Sequence, residues 1–196
     1  DVKTPTELVL NIKFGLPGHH NLTNALLAFA MAKSYGVSND KIGAALASFK
    51  GVRRRFSFQI REENKVYIDD YAHHPTEINA VHQAVRELYP GKKIIAAFQP
   101  HLFSRTKDFA DGFAESLAQF DEVLLLEIYP ARELPMEGIN SSWLLTKIDH
   151  PNKKLVNKNE LITAFQNSDA SVFVTIGAGD IGEMVKDIKN ALYEKD

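Results

Sequence analysis

From residue 56 onward the 196-residue chain alternates short, continuous apolar runs with stretches whose apolar residues recur every three or four positions. The runs are Val66-Tyr67-Ile68, Lys93 to Phe98, Glu122 to Ile128, the weaker Lys154-Leu155-Val156, and Ser171 to Ile176. Between and after them the spacing predicts helices over 75–89, 107–119, 141–148, 159–166 and 180–193. The first of these has Ile78, Val81, Val85 and Leu88 on one face. A strand that is apolar at every position is buried on both faces, as happens where helices cover both sides of a parallel sheet. The expected fold is therefore α/β, a mostly parallel sheet with helices on both faces. A hairpin-like pair, 56–61 and 65–68, opens it.

The preceding residues read differently. A strand-like run, Glu7 to Phe14, is followed by a turn at 15–18 and a helix over 21–34. Leu22, Ala25, Leu26, Phe29 and Ala30 of that helix follow the spacing of one buried face. A second helix spans 39–49, and Gly51 marks a break before the basic run Arg53-Arg54-Arg55. Length suggests one large domain, or one domain plus a piece of another, and the pattern changes beyond the Gly51 break. The opening at Asp1, directly before a strand, reads as a cut inside a longer protein.

Composition narrows the function classes. With 44% apolar and 24% charged residues the chain has material for a packed core. A net charge of -2 offers no electrostatic attraction to nucleic acid or an anionic membrane. No apolar run reaches bilayer length and no signal-peptide pattern stands first, so a cytoplasmic protein without a membrane partner is expected. Cysteine is absent, which excludes disulfides and thiolate metal sites and fits a reducing compartment.

Four runs end in residues able to do chemistry. Asp69-Asp70-Tyr71-Ala72-His73-His74-Pro75 closes the first; Pro75 suits the first turn of the next helix and Glu77 its N-terminal dipole. Gln99-Pro100-His101, Tyr129-Pro130-Ala131-Arg132 and Gly177-Ala178-Gly179-Asp180 close the others. In a parallel sheet these ends line one edge, where open α/β sheets bind ligands. Asp and His taken singly are ordinary cap and turn residues. Turns do not, however, need His, Arg and Asp at most strand ends, so an enzyme or ligand-binding domain with one polar cleft is expected.

Gly177-Ala178-Gly179-Asp180-Ile181-Gly182 matches the dinucleotide fingerprint, but the acidic strand that should follow about twenty residues on has no room before Asp196. A dehydrogenase is disfavoured. Two readings of the turn stay open: close approach of a ligand with amides free for an anion, or a purely steric turn. The P-loop pattern G-x-x-x-x-G-K-[ST] is absent, as is H-E-x-x-H. His19-His20 and His73-His74 are adjacent pairs whose members diverge on any regular element, so no metal site is expected. Arg53-Arg54-Arg55 is either a solvated basic run or a fixed positive charge for a phosphate. His101 and Arg105, four residues apart, could hold a carboxylate.

Four motifs together resemble the C-terminal part of the Mur ligase family, ATP-dependent amide-forming enzymes of peptidoglycan precursor synthesis. They are Gly18-His19-His20-Asn21-Leu22-Thr23-Asn24-Ala25, Arg54-Arg55-Phe56, Asp69 to Glu77, and Phe98-Gln99-Pro100-His101 through Arg105-Thr106. Within the family, Asp69 to Glu77 followed by Gln99-Pro100-His101 is similar to the members that add L-alanine to UDP-N-acetylmuramate. Tyr129 to Glu133 and Gly177 to Ile181 agree. The resemblance implies that 1–51 is the helical tail of a central ATP-binding domain and 52–196 a C-terminal Rossmann-like domain. The UDP-sugar domain, the P-loop and most Mg2+ ligands would then lie upstream.

It further implies that ATP phosphorylates the substrate's lactyl carboxylate and that the amino group of L-alanine attacks the acyl phosphate. By resemblance, Asn21 and Asn24 lie against adenine, His20 near the phosphates and Asp70 at the ribose hydroxyls. Arg55 is the catalytic charge on the terminal phosphate, and Tyr71, His73, His101 and Arg105 form the alanine end, with Arg105 set for its carboxylate. His19 and Leu102 stand where the family more often has arginine, and the departure at Leu102 removes a positive charge beside His101. Two alternatives remain at this stage. One is the family's tripeptide-recycling ligase, expected to differ at 99–101; the other is a non-catalytic nucleotide- or anion-binding module.

Overall fold

A computed structural model of the chain describes residues 1–193. The chain divides into two compact units, one of Asp1–Val52 and one from Arg53 onward.

In the first unit β1 (Val2–Lys3) pairs antiparallel with β2 (Leu8–Val9), and α1 (His19–Ser34) and α2 (Asn39–Ser48) follow. The strand expected over 7–14 is thus confined to Leu8–Val9. Glu7 accepts from the Thr4 amide (2.9 Å) in the turn before it, and beyond Val9 the strand ends, with Asn11 in the left-handed region (φ 62°). The α1 face expected to be buried is largely uncovered. Phe29 alone of its five residues is buried, while Leu22 and Leu26 are 55% and 50% exposed. This unit's buried core is only Val9, Phe29 and Ile42, too few to cover a five-residue face.

The second unit is built on six strands in the order β3-β4-β8-β5-β6-β7. These are β3 (Ser57–Arg61), β4 (Val66–Asp70), β5 (Ile94–Phe98), β6 (Glu122–Leu125), β7 (Lys153–Leu155) and β8 (Val172–Ile176). Only β3 runs antiparallel, with a register shift between Phe58 and Ile60; the other neighbours are parallel. Its helices are α3 (Pro75–Leu88), α4 (Phe103–Asp108), α5 (Ala110–Leu117), α6 (Ser141–Lys147), α7 (Lys158–Asn167) and α8 (Val185–Tyr193).

Alternation within the apolar strands assigns the two faces. Val66, Ile68, Ile94, Ala96, Phe98, Val172 and Val174 pack with Ile78 of α3, Phe113 of α5 and Leu144 of α6. Tyr67, Ile95, Ala97, Leu124 and Phe173 pack with Leu161 and Phe165 of α7 and Ile188 of α8. Each such buried side chain contributes about 1.5–3 kcal/mol from its removal from water. The parallel sheet with helices on both faces follows directly from those doubly apolar runs.

Element ends depart from the periodicity in three places. The helix expected over 107–119 is two, α4 and α5, broken at Phe109 (φ -115°, ψ 20°), and it starts earlier than expected. The stretch over 180–193 opens as a single 3-10 turn, Asp180–Glu183, before α8. Leu88 lies at the outer end of its face and is 38% exposed.

Candidate active site

The sheet order brings the reactive strand ends together. β8 enters between β4 and β5, so the turn after it is flanked by Asp70 on one side and Gln99 on the other. The Gly177 amide donates to the Asp70 carbonyl (3.1 Å), and the Gln99 amide to the Ile176 carbonyl (3.0 Å). Beyond β5 and β6, His101 and Tyr129 continue the parallel pairing as an isolated bridge. Segments that start more than a hundred residues apart thus meet along one edge.

The basic run divides by residue. Arg53 and Arg55 are exposed, whereas Arg54 turns inward. Its Nε donates to Asp69 Oδ2 at 3.1 Å and its Nη2 to the Gly177 carbonyl at 2.6 Å. Asp69 is fully buried and also accepts from Thr175 Oγ1 (2.9 Å), whose oxygen in turn accepts from the Tyr67 hydroxyl (3.0 Å). Burial pushes the Asp69 carboxyl above its ordinary pKa, and the Arg54 charge pulls against that rise.

The glycine turn makes room for the protein's own groups. A Cβ on Gly177, which has φ +147°, would lie 2.7 Å from the Gln99 carbonyl oxygen. One on Gly179 would overlap Gln99 Oε1 and sit 2.7 Å from Tyr129 Cβ, and one on Gly182 would overlap the Arg54 guanidinium. Gln99 itself accepts from the Ile181 amide (2.9 Å) and donates to Asp180 (2.7 Å), which also holds Lys158.

Asp70 acts as a bracket. Its Oδ2 accepts from the Phe56 amide at 2.6 Å and its Oδ1 from the Ala72 amide at 2.7 Å, and the residue is 5% exposed. Burial raises its pKa, while those two amides and the Arg55 charge oppose the rise. Arg54 and Phe56 both have left-handed backbones (φ 60° and 47°), conformations that non-glycine residues rarely adopt. The Asp70 bracket and a bond from the Tyr71 amide to the Arg54 carbonyl (2.8 Å) hold that kink. Arg55 lies at its apex with its guanidinium 5.6 Å from the Tyr71 ring centre.

Next to it stand the aromatic and imidazole groups. Tyr71 and His73 meet edge to face (5.6 Å), His73 and His101 are 6.4 Å apart, and His101 stacks on Tyr129 (5.6 Å, 24°). Arg105 Nη1 donates to His101 Nδ1 at 3.3 Å, because a guanidinium has hydrogens only to give. Burial, together with the Arg105 and His73 charges, pulls the His101 pKa below the ordinary histidine value against a pull from Glu133. Leu102, in the left-handed region (φ 73°), turns the chain into α4. Glu133 accepts from the Ser104 amide (3.0 Å) and hydroxyl, joining the loop after β6 to the start of α4.

Six sequence-selected residues, Arg55, Asp70, Tyr71, His73, His101 and Arg105, therefore belong to the second unit, at or just beyond its strand ends. His20, Asn21 and Asn24 belong to the first unit, at the start of α1. There Asn21 Nδ2 donates to the Pro17 carbonyl (2.7 Å), and His20 and Asn24 are exposed. Sequence reasoning missed the separate task of Arg54, the cap carboxylate Glu77 as a partner of His73 (3.5 Å), and the Glu133 tie. A glycine-rich turn facing an Arg-Arg pair was the available signal for the first. A groove lined by Lys93, Glu122, Lys153 and Glu160 lies at the opposite edge, where the strands begin, and holds none of these groups. Among the described residues no cluster of three or more His, Asp or Glu is placed to bind a metal ion.

Comparison with known proteins bears on this geometry. The family model for the Mur ligase glutamate ligase domain matches residues 54–179, which run from the Arg54 clamp through the glycine turn. The chain belongs to the Mur ligase family. UDP-N-acetylmuramate–L-alanine ligase of Flavobacterium psychrophilum is 73% identical over 195 residues, covering 100% of this chain and 44% of that protein. The ligase of the same name from Porphyromonas gingivalis is 47% identical over 182 residues, 92% of this chain and 40% of that one. The chain thus spans less than half the length of these curated Mur ligase relatives. The crystal structure of UDP-N-acetylmuramate-alanine ligase from Thermotoga maritima superposes with a TM-score of 0.72 at 31% identity, over 95% of this chain and 40% of that one. A murein peptide ligase from Psychrobacter arcticus, at 24% identity and a TM-score of 0.64, shares the fold.

Proposed function

We propose that this chain is the C-terminal portion of an ATP-dependent ligase that joins L-alanine to UDP-N-acetylmuramate through an acyl phosphate. The names of relatives as similar as 73% support this reading, and the convergence of Arg55, Asp70, Tyr71, His73, His101 and Arg105 carries it physically. Charge on a transferring phosphoryl group is stabilised by fixed cations, and Arg55, held on a braced kink, is suited to that task. Asp70 keeps its outer lone pairs for ribose hydroxyls, since each of its oxygens already takes one backbone hydrogen. Arg105 is the cation for the alanine carboxylate, and Tyr71, His73 and His101 surround the amino group.

Residues 1–51 fit the tail of the central ATP-binding domain. His20, Asn21 and Asn24 are its contribution to ATP, and the exposed apolar face of α1 belongs against the rest of that domain. Most Mg2+ ligands are placed in the upstream part of the protein along with the P-loop; among the described residues no group of three or more His, Asp or Glu could hold the ion by itself. No described helix is long and apolar enough to cross a membrane, in keeping with a cytoplasmic reaction.

The test compares the 196-residue chain with the full-length protein in an ATP-, UDP-N-acetylmuramate- and L-alanine-dependent assay of ADP release. The full protein turns over and the chain alone does not. Alanine-dependent turnover by the chain alone would refute this division of labour; none by the full protein would refute the reaction.

A further inference from the structure

His73 and His101 belong to the proposed amino-acid end and His74 follows His73 in the chain; hydrogen bonds fix two different proton arrangements among the three imidazoles. His73 Nδ1 lies 3.0 Å from the Tyr71 carbonyl and 3.5 Å from Glu77 Oε2. Both neighbours only accept, so Nδ1 carries the hydrogen and Nε2 has a bare lone pair in the neutral ring. His74 is the reverse: its Nδ1 accepts from the Thr76 amide (3.3 Å), which leaves the hydrogen on Nε2. His101 Nδ1 accepts from Arg105, so its Nε2 is also a donor. Tyr71 is a phenol and Arg105 a permanent cation. Of the groups at this end of the cleft, His73 alone offers an unoccupied basic nitrogen.

Glu77 completes the arrangement. Its Oε2 accepts from the backbone amides of His73 (2.8 Å) and His74 (3.2 Å), which fixes the carboxylate behind the ring. A carboxylate so placed orients the ring through Nδ1 and stabilises the imidazolium formed when Nε2 takes a proton. The other groups around His73 are the Tyr71 ring from its own segment and His101 from the end of β5, with the Arg105 charge behind His101. Arg54 and Arg55 lie over the far ring, that of Tyr71.

We infer that His73 is the general base of the amide-forming step and Glu77 its positioning residue, an assignment that rests on the function proposed above. L-Alanine arrives as an ammonium, which has no lone pair to attack with. His73 Nε2 takes one proton, and the freed amine attacks the acyl-phosphate carbonyl carbon and forms the C–N bond. The C–O bond to the phosphoryl group then breaks, phosphate leaves with that electron pair, and the second amine proton goes to it. His101, with its hydrogen on Nε2, can only donate from that atom, so the two histidines are not interchangeable.

Hydroxylamine tests this, because it is neutral at pH 7 and needs no base before it attacks. The full-length protein is assayed with ATP, UDP-N-acetylmuramate and either L-alanine or hydroxylamine as acceptor. His73→Ala is expected to lose about 100-fold or more with L-alanine, the usual worth of a positioned base, and less than tenfold with hydroxylamine. Glu77→Gln keeps an acceptor for the cap amides but removes the charge, and should lose activity with L-alanine only. Equal losses with both acceptors in His73→Ala, or no loss with L-alanine, would overturn the assignment of His73. A wild-type protein that forms hydroxamate but no alanyl product would overturn the proposed reaction and the base together.

Discussion

Replacing Arg54 by Met keeps much of its length but strips the hydrogen bonds to Asp69 and Gly177. Asp69 would then be a buried carboxylate with Thr175 as its remaining side-chain donor. Side-chain exposures are 18% for Arg54 and 1% for Asp69, so the pair is sheltered chiefly on the Asp side. Breaking a buried pair by removing one partner costs about 3–5 kcal/mol; with Arg54 partly open to solvent the lower end, ~3 kcal/mol, applies. For a chain of this size that is a fall in Tm of roughly 6–12 °C.

The pH dependence has a definite sign. Burial already holds the Asp69 pKa above its ordinary value, and loss of Arg54 raises it further. Above the folded pKa the variant bears an uncompensated charge. As pH falls through that value toward the unfolded one, Asp69 takes a proton and the deficit shrinks. Urea unfolding of the 196-residue chain and of R54M at pH 7 and pH 5, with Asp69→Asn and the double variant, reads this out. Stability within 0.5 kcal/mol of the parent, or additive effects of the two substitutions, would refute the clamp.

Further outcomes follow from the same geometry. In the full-length protein Arg55→Ala should cut turnover more than tenfold, and near-normal rates in a steady-state assay would remove Arg55 from the catalytic groups. Gly179→Ala should cost about 1–3 kcal/mol by overpacking against Gln99 and Tyr129, whereas Gly15→Ala, with open space around its Cβ position, should be near neutral in the same denaturation assay. His82 has a buried Nε2 without a partner, and burial lowers its pKa, as it does that of His101. At these two histidines the unfolded chain therefore binds more protons below about pH 6.5, so their contribution to stability should fall as pH drops from there toward the folded values, against the opposite contribution of Asp69 and Asp70. His82→Phe should flatten that fall, and an unchanged slope in a pH series of unfolding curves would count against it.

The sheet was legible because Ile94 to Phe98 and Val172 to Ile176 are apolar at every position, a pattern that helices on both faces impose. Their strand ends were legible for the same reason, since a parallel sheet puts them on one edge. What escaped was pairwise and long-range. Nothing in Arg53-Arg54-Arg55 says that the middle residue turns inward, because that depends on Asp69 and a turn more than 120 residues later. Asp70 takes the Phe56 amide as well as that of Ala72, and the first of these bonds goes with left-handed geometry at Arg54 and Phe56 that no periodicity encodes. The α1 face failed in the opposite sense: helical spacing reports that a face wants cover, not that the same unit supplies it.

The order of strands in space also has a temporal side. β8, which stands between β4 and β5, leaves a ribosome after both of them. Until it arrives, β4 and β5 lack the neighbour that joins them, and their facing edges are open to mispairing. Arg54 waits for a carbonyl anchor, that of Gly177, made more than a hundred residues later. Any truncation before Val172 should thus abolish the folded unit as a whole rather than trim one end of it, and assembly of the cleft waits on a strand made after both of its neighbours.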